Sequence, residues 1–136
     1  MLRSRLLAAF GVTVICLAAG SSAFADSGGN AATLRAAAGR LVAAELAGNG
    51  AGVCAVLNAP LTATVAGRTC AERWDARSGA MRSSAAGRLA LRRDLRAVAT
   101  APVRIDGEHG SIALPEPLLD GHSRFYWTAN CWMLTG

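Results

Sequence analysis

The sequence contains no lysine. All 14 of its basic residues are arginines, set against 9 acids and abundant alanine and glycine. That bias is the mark of GC-rich coding rather than of selected arginine chemistry, so an arginine is not informative by its presence alone. Aromatic residues are scarce, at 5% of the chain, and there is one tyrosine. The basic stretch Arg88–Arg96 has no interleaved aromatics, which excludes the stacking platform of a single-stranded nucleic-acid binder. Zinc-ligand spacing, a nucleophile elbow, a phosphate loop and a His-Glu-x-x-His helix are all missing, so no motif-borne metal or cofactor is implied. Internal repeats are absent as well. The N-terminal apolar run, Leu6 to Ala19, has 14 residues, short of the roughly 20 that a stable membrane span needs.

What is present at the N-terminus has the three parts of a secretory signal peptide. Arg3 and Arg5 give a positive start, Leu6 to Ala19 an apolar middle, and Ser21 to Ala25 a run of mostly small residues ending in Ala23-Phe24-Ala25. A peptidase that accepts small side chains at two fixed positions would cut between Ala25 and Asp26. Residues 1–25 are thus read as a signal peptide, 26–30 as a flexible leader and 31–136 as one domain, exported and without a membrane span after cleavage. Cys16 lies inside the apolar run behind bulky Val14 and Ile15, which argues against a lipoprotein. Removing 25 residues from 136 leaves 111, enough for one modest core. Without Arg3 and Arg5, 12 arginines face 9 acids, a net charge of +3.

Ala31 to Leu46 predicts a helix, with Leu34, Ala38, Leu41, Val42 and Leu46 at helical spacing. Asn30 is its N-cap and Gly48-Asn49-Gly50 its stop. A short helix follows over Ala51–Leu57, then a helical turn from Pro60 that ends at Gly67. Thr69 and Glu72 form a capping box for a third helix carrying Cys70 and Trp74 on its inner face. Gly79 predicts a break near Ser78-Gly79, with a second helical piece continuing to Arg93. From Leu95 to Ile105 alternate residues are apolar, the period of a half-buried strand. Asp106 to Gly110 reads as a hairpin turn and Ser111 to Leu114 as the returning strand. Pro115-Glu116-Pro117 and Asp120-Gly121 form a loop. Ser123–Thr128 and Cys131–Thr135 make a second hairpin around Ala129-Asn130. Helices first and an antiparallel sheet after them define an α+β domain.

These stretches resemble the small secreted NTF2-like domains of high-GC Gram-positive bacteria, a group related to SnoaL-like and lumazine-binding-like domains. The resemblance rests on the Ala-rich helix ending in Gly-Asn-Gly, on Val53-Cys54-Ala55-Val56-Leu57-Asn58-Ala59-Pro60 and on Gly67-Arg68-Thr69-Cys70-Ala71. It also rests on the Val103–Leu114 hairpin and the Trp132 strand. It implies N-terminal helices packed on a curved antiparallel sheet, a cone enclosing an apolar pocket. Such cones serve as enzymes, ligand carriers or interaction modules. This chain departs from the pattern in its Ser/Gly/Ala-rich Ser78–Gly87 stretch and in an extra cysteine, Cys131.

Three pairings are open to Cys54, Cys70 and Cys131 in an oxidising compartment. The family pattern pairs Cys54 with Cys70, and both are read near helix starts on elements joined by a short connection. Cys131 is then expected to stay free and buried beside Trp132. The leading functional expectation is a non-catalytic extracytoplasmic module that binds a small apolar ligand or a protein partner. Trp74, Phe125, Trp127 and Trp132 are its candidate pocket residues, and a second copy of the chain is a further candidate partner. The alternative is an isomerase- or cyclase-type enzyme with Tyr126 and Asp75 as acid and base, by analogy with the family. A third reading takes Arg88, Arg92 and Arg96 as a helical stripe for anionic polymers or lipid headgroups. His109 and His122, near Asp106, Glu108 and Asp120, read as solvated loop residues rather than metal ligands.

Overall fold

The computed structural model describes residues 29–115, 123–128 and 130–135, which form five helices followed by a four-stranded antiparallel sheet. The expected signal peptide, the cleavage point at Ala25 and Asp26, the leader as far as residue 28, Asp120 and His122 all lie outside these residues.

Helix α1 (Ala31–Ala47) starts where its cap predicts. The Asn30 side chain accepts from the Thr33 N–H at 3.0 Å, and the Thr33 hydroxyl accepts from the Asn30 N–H at 3.0 Å. Two of the unpaired donors of the first turn are thereby satisfied. The helix ends at Gly48, whose left-handed φ of 67° suits a residue without Cβ. Helix α2 (Gly50–Cys54) ends three residues sooner than predicted, so Cys54 is its last residue. Helix α3 (Ala59–Thr62) forms at the expected Pro60 turn but ends at Thr62, five residues short of the expected stop at Gly67. Helix α4 (Cys70–Ser83) carries the Thr69–Glu72 capping box, in which the Thr69 N–H donates to Glu72 Oε2 at 2.7 Å.

Other boundaries also differ from the sequence reading: β2 begins at His109, read as a turn residue, and ends at Ile112. Helix α4 runs through Gly79 and breaks at Ser84, where the extended backbone and a Ser84 hydroxyl accepting from the Gly87 N–H start helix α5 (Ala85–Ala97). The expected strand from Leu95 is instead the end of α5 and a turn. Leu91, Asp94 and Val98 are buried at helical spacing, and this outweighs the alternating alanines.

The strands are β1 (Val103–Asp106), β2 (His109–Ile112), β3 (Arg124–Thr128) and β4 (Cys131–Thr135), joined in the order β1-β2-β3-β4. Gly107, at φ 57°, sits first in the two-residue β1–β2 turn. Beyond β4, the Asn58 N–H donates to the Leu134 carbonyl at 2.9 Å and the Leu134 N–H to Val56 at 2.7 Å, which covers that sheet edge.

The register sorts the side chains. Val103, Ile105, Ile112, Phe125, Trp127, Trp132 and Leu134 share the face that packs on α1. Gly110 lies on the same face, and a side chain there would collide with Leu34 and crowd Trp132. This glycine lets α1 seat directly on the sheet. The core is built from Leu34, Leu41 and Val42 of α1 against Phe125, Trp132 and Leu134. The helical layer is tied by a disulfide between Cys54 and Cys70, with Cα atoms 6.2 Å apart. Cys131 is buried as expected but is disulfide-bonded rather than free; the expectation of a free thiol rested on the odd count of three cysteines after residue 25.

Candidate functional site

The acid and base proposed from family analogy stand in different layers. Tyr126 faces outward from β3, opposite Phe125 and Trp127, as strand alternation requires. Its hydroxyl donates to Glu108 Oε2 at 2.6 Å, and its ring lies 5.3 Å from His109. The hydrogen bond to Glu108 and then that carboxylate's negative charge hold the phenol above its ordinary pKa, so it gives up its proton less readily. Asp75 sits on α4, where its Oδ1 accepts from the Gly50 N–H at 2.6 Å. It ties α4 to the first residue of α2. His109 opens β2, between Asp106 on one neighbouring strand and Tyr126 on the other. Among the described residues no three His, Cys, Asp or Glu side chains gather to hold a metal ion.

The aromatic candidates occupy the interior. Phe125 and Trp132 are each 1% exposed, and the Trp132 indole N–H donates to the Thr33 hydroxyl at 3.0 Å. Trp127 is half-buried, with its ring edge-on to Trp132 at 5.3 Å. Trp74 is buried in the helical layer beneath the Arg77 guanidinium, 5.0 Å above its ring. Arg77 Nε also lies 3.9 Å from the buried carboxylate of Glu45. Phe125, Trp127 and Trp132 fill the space between α1 and the sheet, and Trp74 does not join them.

The arginine stripe on α5 is shorter than expected. Arg88 turns back to donate to the Arg82 carbonyl, satisfying the end of α4. Arg92 and Arg96 remain exposed, beside Leu89, which is 53% exposed.

Two grooves lie elsewhere. One, of about 330 Å³, runs between the Cys54–Ala59 segment and the β3–β4 turn and is mostly apolar. The other, of about 360 Å³, is on the outer face of the sheet. Its floor follows one cross-strand row, Arg104–Ser111–Arg124–Thr135, spanning β1 to β4. Asp106 and His109 of the adjacent row form its side. Phe125 backs it from the core. Sequence reasoning singled out none of this row. The signal was available in the alternation of Val103-Arg104-Ile105 and Phe125-Tyr126-Trp127, which places the intervening polar residues outside. The alignment of Arg104 with Arg124, however, is fixed by register across three strands. Comparison with protein-family models, with curated proteins and with solved structures gave no match.

Proposed function

We propose that this chain is an exported, non-catalytic binding module of the NTF2-like type that meets its ligand or partner on the outer face of its sheet. One observation carries the reading. The interior between α1 and the sheet is filled by Leu34, Phe125 and Trp132, while the groove of about 360 Å³ opens on the opposite face. An apolar ligand enclosed between α1 and the sheet would have to displace that packed core, at a cost of several kcal/mol for side chains of this size. An enzyme of the isomerase or cyclase type would need acid and base in one site, and Tyr126 and Asp75 do not share one. Export is supported by the N-terminal charge and apolar pattern and is compatible with the Cys54–Cys70 bridge. No helix among the described residues is long and apolar enough to cross a membrane.

Hydroxyl-radical footprinting of the exported protein, in its native envelope fraction and alone, tests the reading. Protection of the outer-face residues His109, Tyr126 and Met133, with Leu89 and Leu95 unchanged, is the expected result. The exposed Leu89 beside Arg92 and Arg96 favours a second reading, attachment to an anionic surface through α5. Protection confined to Leu89 and Leu95 would support that reading and reject the first.

A further inference from the structure

We infer that the outer-face groove is a binding site for the phosphate monoester of a small hydroxylated molecule, held between Arg104 and Arg124. This rests on the outer face being the binding side. Arg104, Ser111 and Arg124 are consecutive cross-strand partners. The two arginines therefore flank Ser111 from strands about 10 Å apart, and all three line one groove. Neither guanidinium has a carboxylate within ion-pair range among the described residues, and the Ser111 hydroxyl has no hydrogen-bond partner there. Two like charges without an ion-pair partner share a cavity with a hydroxyl donor between them, and Asp106 stands at its side. An anion in the middle turns that repulsion into attraction.

The donor set selects the anion. A carboxylate has two oxygens, which one guanidinium fork already satisfies. Two forks and a hydroxyl match the three terminal oxygens of a phosphate monoester. Thr135 adds a wall rather than a donor, because its hydroxyl donates to the Arg124 carbonyl at 3.2 Å. The groove, about 360 Å³, is larger than a bare phosphate requires and falls in the range of small organic ligands. Asp106, on the next row of the same groove, opposes a naked anion but accepts hydrogen bonds from ligand hydroxyls. The organic part is accordingly hydroxylated rather than apolar.

Calorimetric titration of the full chain with ribose 5-phosphate, inorganic phosphate and acetate tests this. Ribose 5-phosphate should bind most tightly and acetate least. Arg104→Gln and Arg124→Gln should each weaken ribose 5-phosphate binding about tenfold or more, from loss of charge-assisted hydrogen bonds. Lysine at either position should restore only part of it, since the charge returns without the fork. Asp106→Asn should narrow the gap between ribose 5-phosphate and inorganic phosphate. Both arginines are exposed, so these variants leave the core intact. Absence of ribose 5-phosphate binding at millimolar concentration, or binding indifferent to both glutamine variants, overturns the assignment. Footprint protection of the outer face without phosphate binding would reject this ligand class and keep the binding face. Loss of both results rejects the two together.

Discussion

Replacing Cys54 and Cys70 together with alanine (C54A/C70A) tests what the covalent link between α2 and α4 contributes. The bridge closes a loop of sequence separation 16. In the chain-entropy model a loop of that size is worth about 3 kcal/mol, because the cross-link removes conformations from the unfolded chain. Total stability for a domain of this length is about 5–15 kcal/mol, so the loss is a large fraction of it. Urea unfolding followed by tryptophan fluorescence reads the change, since Trp132 is buried and becomes exposed only on unfolding. With m of about 1–3 kcal/mol per molar urea, the midpoint should fall by about 1–3 M. The folded-state spectrum should stay unchanged, because the effect acts on the unfolded ensemble. A midpoint within about 0.3 M of the parent chain at equal m would refute this reasoning and place the helical layer's stability in its packing alone.

The contact between the Trp132 indole and Thr33 should show in a double-mutant cycle of Trp132→Phe and Thr33→Val, with a coupling of about 0.5–1.5 kcal/mol; additive losses would deny the bond. Tyr126 is the one tyrosine, so absorbance titration reads it alone. Its midpoint should lie above 10.0 in the folded chain and move down in Glu108→Gln. Because the folded value is the higher one, this bond supports folding below the unfolded midpoint and is lost as pH rises through the folded one. An unmoved midpoint in that variant would contradict it. Glu72 is held below 4.5, first by the hydrogen bond from the Thr69 backbone and then by that from its side chain. Its contribution is present above the unfolded value and is lost as pH falls through the folded one. Glu72→Gln should therefore flatten the decline of the unfolding midpoint between about pH 6 and pH 3. An unchanged slope would count against the capping box.

Local chemistry made much of the fold legible. Asn30, the Thr69–Glu72 box, Pro60 and the Gly107 turn each set their element's boundary through a bond or dihedral that neighbouring residues determine. The misses came where tertiary packing decides. Gly79 looked like a break, yet it faces open space and costs only about 1 kcal/mol in a packed helix. Ser84, five residues later, has the cap geometry that ends α4 and starts α5. Alanines at 97, 99 and 101 imitate strand alternation because alanine is tolerated on either face, while the burial of Leu91, Asp94 and Val98 keeps the segment helical. The same limit hid the site. Nothing local in Val103–Asp106 or Arg124–Thr128 says that Arg104 and Arg124 stand either side of Ser111. Arg88 looked like part of a binding stripe until the α4–α5 corner brought the Arg82 carbonyl within its reach.

The claim that ligand meets the sheet from outside, over a closed interior, is tested most directly by one nuclear magnetic resonance titration of the full chain with ribose 5-phosphate. The Trp132 indole N–H, bonded to Thr33 in the core, and the backbone amides of Ser111 and Arg124 are followed in the same spectra. Progressive movement of the two amides with the indole signal fixed is the predicted result. Early movement of the Trp132 indole, with Ser111 and Arg124 still, would place the ligand inside and contradict the account.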